Sequence, residues 1–184
     1  MTRQSSFSTD EWTLLRLAPS LVWGGMIAAE PAGIFASIKE AVAGARGMTE
    51  AFRSNSELEL FRALAADQSI PGFPDPKTLL GEGPRDQQMQ NFKAAVLEHV
   101  RAAVDLVAHK ASPAEAGVYR RMLVDIAERA ANASKEGGFL GFGGVRVSDS
   151  EHAFINEVKR AAGMRDELTQ TNSPLTDIQF HRSG

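Results

Sequence analysis

The sequence predicts an all-α protein, a single compact bundle of about six or seven helices. Three observations carry that expectation. Four serine–glutamate pairs stand at the S-x-x-E spacing of helix starts, apolar residues recur at helical intervals, and strand signals reduce to Val145-Arg146-Val147. In S-x-x-E the serine hydroxyl accepts from a backbone N–H of the first turn while the glutamate reaches back to the serine's own N–H. A valine pair around one arginine is too short to found a sheet.

Ser8 with Glu11 opens the first helix. Its apolar residues, among them Trp12, Leu15, Val22, Trp23 and Met26, cover nearly the whole circumference. A helix apolar all round is usually the buried, central one. Pro19 lies inside it and has no N–H for residue 15, which predicts a kink or a break into two helices. Gly24-Gly25 would let a neighbouring helix approach closely, at a propensity cost of about 1 kcal/mol each relative to alanine.

Ile34, Phe35, Ile38 and Val42 make a short second stripe. Ser56 with Glu59 starts a helix carrying Leu58, Phe61, Leu64 and Ala65. Residues 68–84, rich in proline and glycine, read as a long ordered loop or a linker. Between Arg85 and Lys110, Phe92, Val96, His99, Val100, Ala103 and Val107 share one face. Ser112 with Glu115 begins the next helix, and Pro113 presets its first residue. Tyr119, Met122, Leu123, Ile126 and Ala127 form its apolar stripe. Ser148 with Glu151 begins the last, with Phe154, Ile155, Val158 and Ala161. One helical domain over 1–168 is expected, followed by a loose or partner-docked tail over 169–184.

Composition narrows the chemistry. With no cysteine, thiol catalysis, disulfides and cysteinyl metal sites are excluded. A balance of 20 basic against 23 acidic residues gives no electrostatic case for nucleic acid. The longest uncharged run, Leu17 to Ala29, falls short of the roughly 17–25 residues of a membrane-spanning helix. No signal-peptide arrangement is evident, so a cytoplasmic location is expected.

The most distinctive segment is the glycine- and phenylalanine-rich stretch before Ser148. No G-K-[ST] follows it and no strand-forming run precedes it, so it does not match a phosphate loop. Its glycines can supply positive φ while its aromatics plug the core, as in an interhelical loop. The functional alternative makes Phe139, Leu140, Phe142, Gly143, Gly144 and Ser148 contacts for a partner or ligand. Backbone amides and Ser148 at a helix N-terminus could then face an anion.

The candidate metal ligands are Glu30, Asp105, His109 and Glu151. Asp105 and His109 are four apart on one helix face, a spacing that suits a metal or an ion pair. His99 lies on an apolar face, where a hydrogen-bonded core histidine is expected. Glu30, Asp125 and Glu128 are the acids that paired-carboxylate chemistry would use; solvated faces or ion pairs with Arg120, Arg121 and Arg129 are the simpler expectation. No catalytic residue is assigned and no cofactor is expected.

Glu11-Trp12-Thr13-Leu14-Leu15-Arg16-Leu17-Ala18-Pro19-Ser20-Leu21-Val22, leading to Ala28-Ala29-Glu30, resembles the opening of TerB-like (tellurite-resistance-associated) helical domains. The run from Leu123 to Ser134, a glycine-rich turn, and then Val147 to Ala162 resembles the same helix–turn–helix again. The likeness covers roughly residues 8–45 and 118–163, on short motifs. Where such domains carry an acidic, metal-implicated turn, this chain has Glu30-Pro31-Ala32-Gly33, and then Asn132 and Ser134; Glu151 alone fits the downstream glutamate. The resemblance implies a compact bundle tied to bacterial stress responses or protein assemblies.

The expected function is therefore a non-enzymatic binding or scaffold protein with a protein partner or self-association. The alternative is a small-molecule or metal-ion binding protein, or a small helical enzyme, with Glu30, His99, Asp105 or His109 converging on an inter-helix pocket.

Overall fold

The computed structural model describes residues 2–29, 50–67, 69, 71, 75–136 and 147–164. Among them are a 3-10 turn, Gln4–Ser6, and six α-helices: α1 (Thr9–Ala29), α2 (Glu59–Ala66), α3 (Pro76–Leu80), α4 (Arg85–Lys110), α5 (Pro113–Glu136) and α6 (Asp149–Ala161). Residues 50–53 add one helical turn, and the described residues hold no strand. The predicted helix around Ile34–Val42 and the 169–184 tail lie outside the described residues. None of the described helices is long and apolar enough to cross a membrane.

The four long helices α1, α4, α5 and α6 all pack on one another. Helix α1 is central, as its apolar circumference predicts: Leu15, Leu17, Ala18, Leu21, Val22 and Met26 are all buried. Val96, Val100 and Val107 of α4, Leu123 of α5 and Phe154 of α6 close around it. Removing each such side chain from water contributes about 1.5–3 kcal/mol. Gly25 makes room for α6, since a Cβ there would lie 2.5 Å from Phe154 Cζ.

Three of the four predicted capping boxes form. The Ser8 and Glu11 backbone amides exchange bonds with each other's side chains at 2.7 and 3.2 Å. Ser112 with Glu115 and Ser148 with Glu151 do the same. The Ser56–Glu59 box does not form: α2 starts after Leu58, with no side-chain cap of its own. Residues 68–84 are also not wholly loop. Asp75 accepts from the Lys77 N–H at 2.9 Å, Pro76 occupies the first helical position, and five residues of helix follow. That helix stops at Gly81, whose φ of 65° suits glycine, and Asn91 Nδ2 of α4 donates to the Leu80 carbonyl at 2.9 Å.

Pro19 does not break α1, which runs unbroken from Thr9 to Ala29. Proline deprives the Leu15 carbonyl of its N–H partner one turn on. The buried Tyr119 hydroxyl of α5 donates to that oxygen at 2.7 Å. One residue earlier, the Leu14 carbonyl accepts from His99 Nε2 of α4 at 3.0 Å. Two neighbouring helices thus serve adjacent carbonyls a turn ahead of the proline.

Candidate functional site

Beyond the Ser148–Glu151 cap, polar residues of the described structure meet at three places that tie the helices together and at one groove on the surface. The most buried carboxylate is Glu115, 3% exposed, in the first turn of α5. Its Oε2 accepts from the Ser112 N–H at 2.9 Å, the Ser112 hydroxyl at 2.8 Å and the Thr2 hydroxyl at 2.7 Å. Its Oε1 accepts from the Leu60 N–H in the first turn of α2 at 2.8 Å. One carboxylate therefore caps two helices, which is why α2 does without Ser56. Burial pushes this carboxyl's pKa up, but the bonds from Leu60, Thr2 and Ser112 outweigh that and hold it below its ordinary value. Both helix dipoles favour the charged form.

The second place is the clasp that joins α1 to Asp67 and Ser69. Asp67 Oδ2 accepts from Trp12 Nε1 at 2.8 Å and pairs with Arg16 at 3.1 Å. Its Oδ1 accepts from the Ser69 hydroxyl at 2.6 Å. Arg16 reaches on to the Ser69 side chain and to the Asp67 and Ser69 carbonyls. The Ser69 hydroxyl is the main cause holding the Asp67 carboxyl below its ordinary value; burial opposes it, and Trp12 and Arg16 add to it. A cleft of about 390 Å³ opens here, lined also by Ser5, Ser8, Thr9 and Thr13. Its arginine, its aspartate and its indole N–H are already bonded to one another.

The third is the pair of donors facing the Pro19 turn. Burial lowers the pKa of His99, and its bond to the Leu14 carbonyl partly opposes that. A carbonyl only accepts, so the Nε2–H tautomer is the one present. The expectation of a hydrogen-bonded core histidine therefore holds. Burial likewise drives the Tyr119 phenol well above its usual range.

On the surface, α5 and residues 51–55 flank a groove of about 120 Å³. Arg121, Asp125 and Arg129 line one side, Ser54 and Asn55 the other, and Met122 and Ile126 lie between the charges. All three charged residues are exposed. Among the described residues no ion pair joins Asp125 to either arginine; the nearby Glu128 pairs instead with Lys159 of α6 at 3.0 Å. Of the two expectations for these acids, Asp125 follows the solvated face, while the ion pair of Glu128 is made with a lysine of another helix and not with an arginine of its own.

Of the candidate contact residues, Ser148 is the only one within the described set; Phe139, Leu140, Phe142, Gly143 and Gly144 lie outside it. The Ser148 N–H and hydroxyl both donate to Glu151 Oε2, at 2.8 and 2.9 Å. The anion at this helix start is the chain's own glutamate, 5% exposed. Of the candidate metal ligands, Glu30 lies outside the described residues. Asp105 and His109 are exposed, and His109 Nδ1 bonds the Asp105 backbone carbonyl at 2.6 Å, not its carboxylate. His99 and Asp105 are six apart on α4, hence ~120° apart around it. Among the described residues no three histidines or acids group as a metal site.

Thr2 and Tyr119 were not singled out as functional from sequence, and Asp125, Arg121 and Arg129 were read as a candidate acid and its ion-pair partners, not as one exposed stripe. The stripe's i, i+4, i+8 spacing was the available signal. Compared with known proteins, the chain matches no family model, no curated protein and no solved structure.

Proposed function

We propose that the protein is a non-enzymatic helical binding or scaffold protein, working through contact with a protein partner or a second copy of itself. One observation carries this reading: apart from Trp23 Nε1 and Arg120 Nε, which are buried without a hydrogen-bond partner among the described residues, the polar side chains that join the helices are engaged in holding the bundle together. Glu115 and Glu151 cap helices, Asp67 clasps α1, and Tyr119 and His99 serve the carbonyls ahead of Pro19. Using any of them as an acid, base or ligand would break a bond that positions a helix. What remains for recognition is surface. The resemblance to TerB-like domains suggests a setting in bacterial stress responses.

In this reading the segment from Phe139 to Gly144, which leads to the capped start of α6, belongs to the contact surface. The test replaces Phe139 and Phe142 together by serine. The expected result is a changed oligomer mass by light scattering, or lost partner binding, with the helical circular dichroism retained. Collapse of the dichroism would assign these side chains to the core and overturn their role in contact.

A further inference from the structure

We propose that the Arg121–Asp125–Arg129 stripe of α5 docks a helix of another protein, one carrying acidic, basic and acidic residues at the same four-residue spacing. The proposal rests on the binding reading above and names the surface and the chemistry of the partner.

Residues four apart on a helix rise ~6 Å, so the two arginines stand ~12 Å apart along α5 with Asp125 midway. Opposite charges at this spacing ordinarily pair along the helix. Here no ion pair joins Asp125 to Arg121 or Arg129 among the described residues. The row plus–minus–plus is presented outward with its charges uncommitted.

The adjoining groove holds about 120 Å³. That is roughly four waters' share of liquid volume and well below the roughly 300–1,000 Å³ of small-molecule sites. It suits one side chain of a docked helix, set against Met122 and Ile126.

Charge selects among occupants. Two copies related by a two-fold axis at Asp125 would set Asp125 against Asp125 and Arg121 against Arg129, like against like; an axis between Arg121 and Asp125 would pair those two and leave Arg129 opposite Gly117. A nucleic-acid backbone would meet Asp125 at the centre of the row, in a chain of net charge −3. A helix with glutamate, lysine and glutamate at i, i+4 and i+8 meets each charge with its opposite.

The experiment titrates the full chain with a 17-residue alanine-based peptide of that Glu–Lys–Glu pattern, at low salt, following the arginine side-chain NMR signals. A sign-reversed Lys–Glu–Lys peptide and inorganic phosphate serve as the comparisons. The expected result is that the first peptide shifts Arg121 and Arg129, and the reversed peptide and phosphate do not. Arg121→Ala and Arg129→Ala should each weaken binding by about two- to five-fold, as exposed ion pairs do. The triple variant R121E/D125K/R129E should switch preference to the reversed peptide, with circular dichroism confirming its fold. No response, or an equal response to both peptides, overturns the proposal; a response to phosphate alone marks a plain anion site and overturns it too. If Phe139 and Phe142 control assembly while these variants change nothing, the binding reading stands and this surface falls.

Discussion

Tyr119→Phe removes one oxygen and tests how α1 tolerates its proline. In the folded chain the Tyr119 hydroxyl donates to the Leu15 carbonyl at 2.7 Å, and both residues are fully buried. Pro19 has no N–H to give that carbonyl in its place. Phenylalanine keeps the ring and its packing against Phe61 while leaving the acceptor without its donor. A buried polar group stripped of its partner costs about 1–3 kcal/mol, against about 0.5–1.5 kcal/mol for a bond both of whose partners are lost. For a chain of this length that lowers the melting temperature by about 2–12 °C. The informative measurement is a double-mutant cycle with Pro19→Ala, read by urea unfolding at fixed m-value. Alanine restores an N–H one turn after Leu15, so Tyr119→Phe should cost less in that background, with a coupling of about 1 kcal/mol or more. Equal costs in both backgrounds would refute the link between the proline and the tyrosine.

Two further substitutions probe the polar and apolar joints. Glu115→Gln sets an amide among four donors, and the lost charged hydrogen bonds should cost about 1.5–3 kcal/mol, measured by chemical denaturation. Because the folded Glu115 carboxyl titrates below its ordinary 4.5, the unfolded chain binds the extra proton; its stabilisation is present above that value and fades as pH falls through the folded one. Stability curves from pH 6 to 3 should therefore show a shallower acid decline in Glu115→Gln than in the parent. Gly25→Ala should destabilise by about 1–3 kcal/mol, because the new methyl would meet Phe154 at 2.5 Å. Gly24→Ala, whose methyl would stand 3.3 Å from the half-buried Phe92, should be near neutral or gain up to about 1 kcal/mol of helix propensity. Thermal melts of the two alanine variants check that contrast.

The helix order was legible because its signals are local: Ser8, Ser112 and Ser148 each find their glutamate three residues on. The Ser56 box shows where local reading stops: the helix begins two residues later, after Leu58, and its first-turn Leu60 N–H finds its acceptor in Glu115, 55 residues away. The proline rule over-predicted a break for a similar reason, because the donors at Leu14 and Leu15 come from α4 and α5. Helix α3 was missed although Asp75, Pro76 and Gly81 are its proper start and stop; five residues are too few to show a period. At the surface, sequence showed charges of opposite sign on α5 but not which would pair, and Glu128 turned to Lys159 on another helix. The contact candidates from Phe139 to Gly144 fall outside the described residues.

The double duty of Glu115 has a consequence for the order in which the chain assembles. An eight-residue helix is too short to persist alone in water, so α2 has little standing before it docks. Its Leu60 amide finds its acceptor on α5, and the Thr2 hydroxyl shares the same carboxylate across 113 residues. Closing loops of that length is entropically costly until the partner is in place. The order expected is that the start of α5 forms first and that α2 and the amino-terminal segment settle onto it together, which φ-values near zero at Leu60 and higher ones in the first turn of α5 would check.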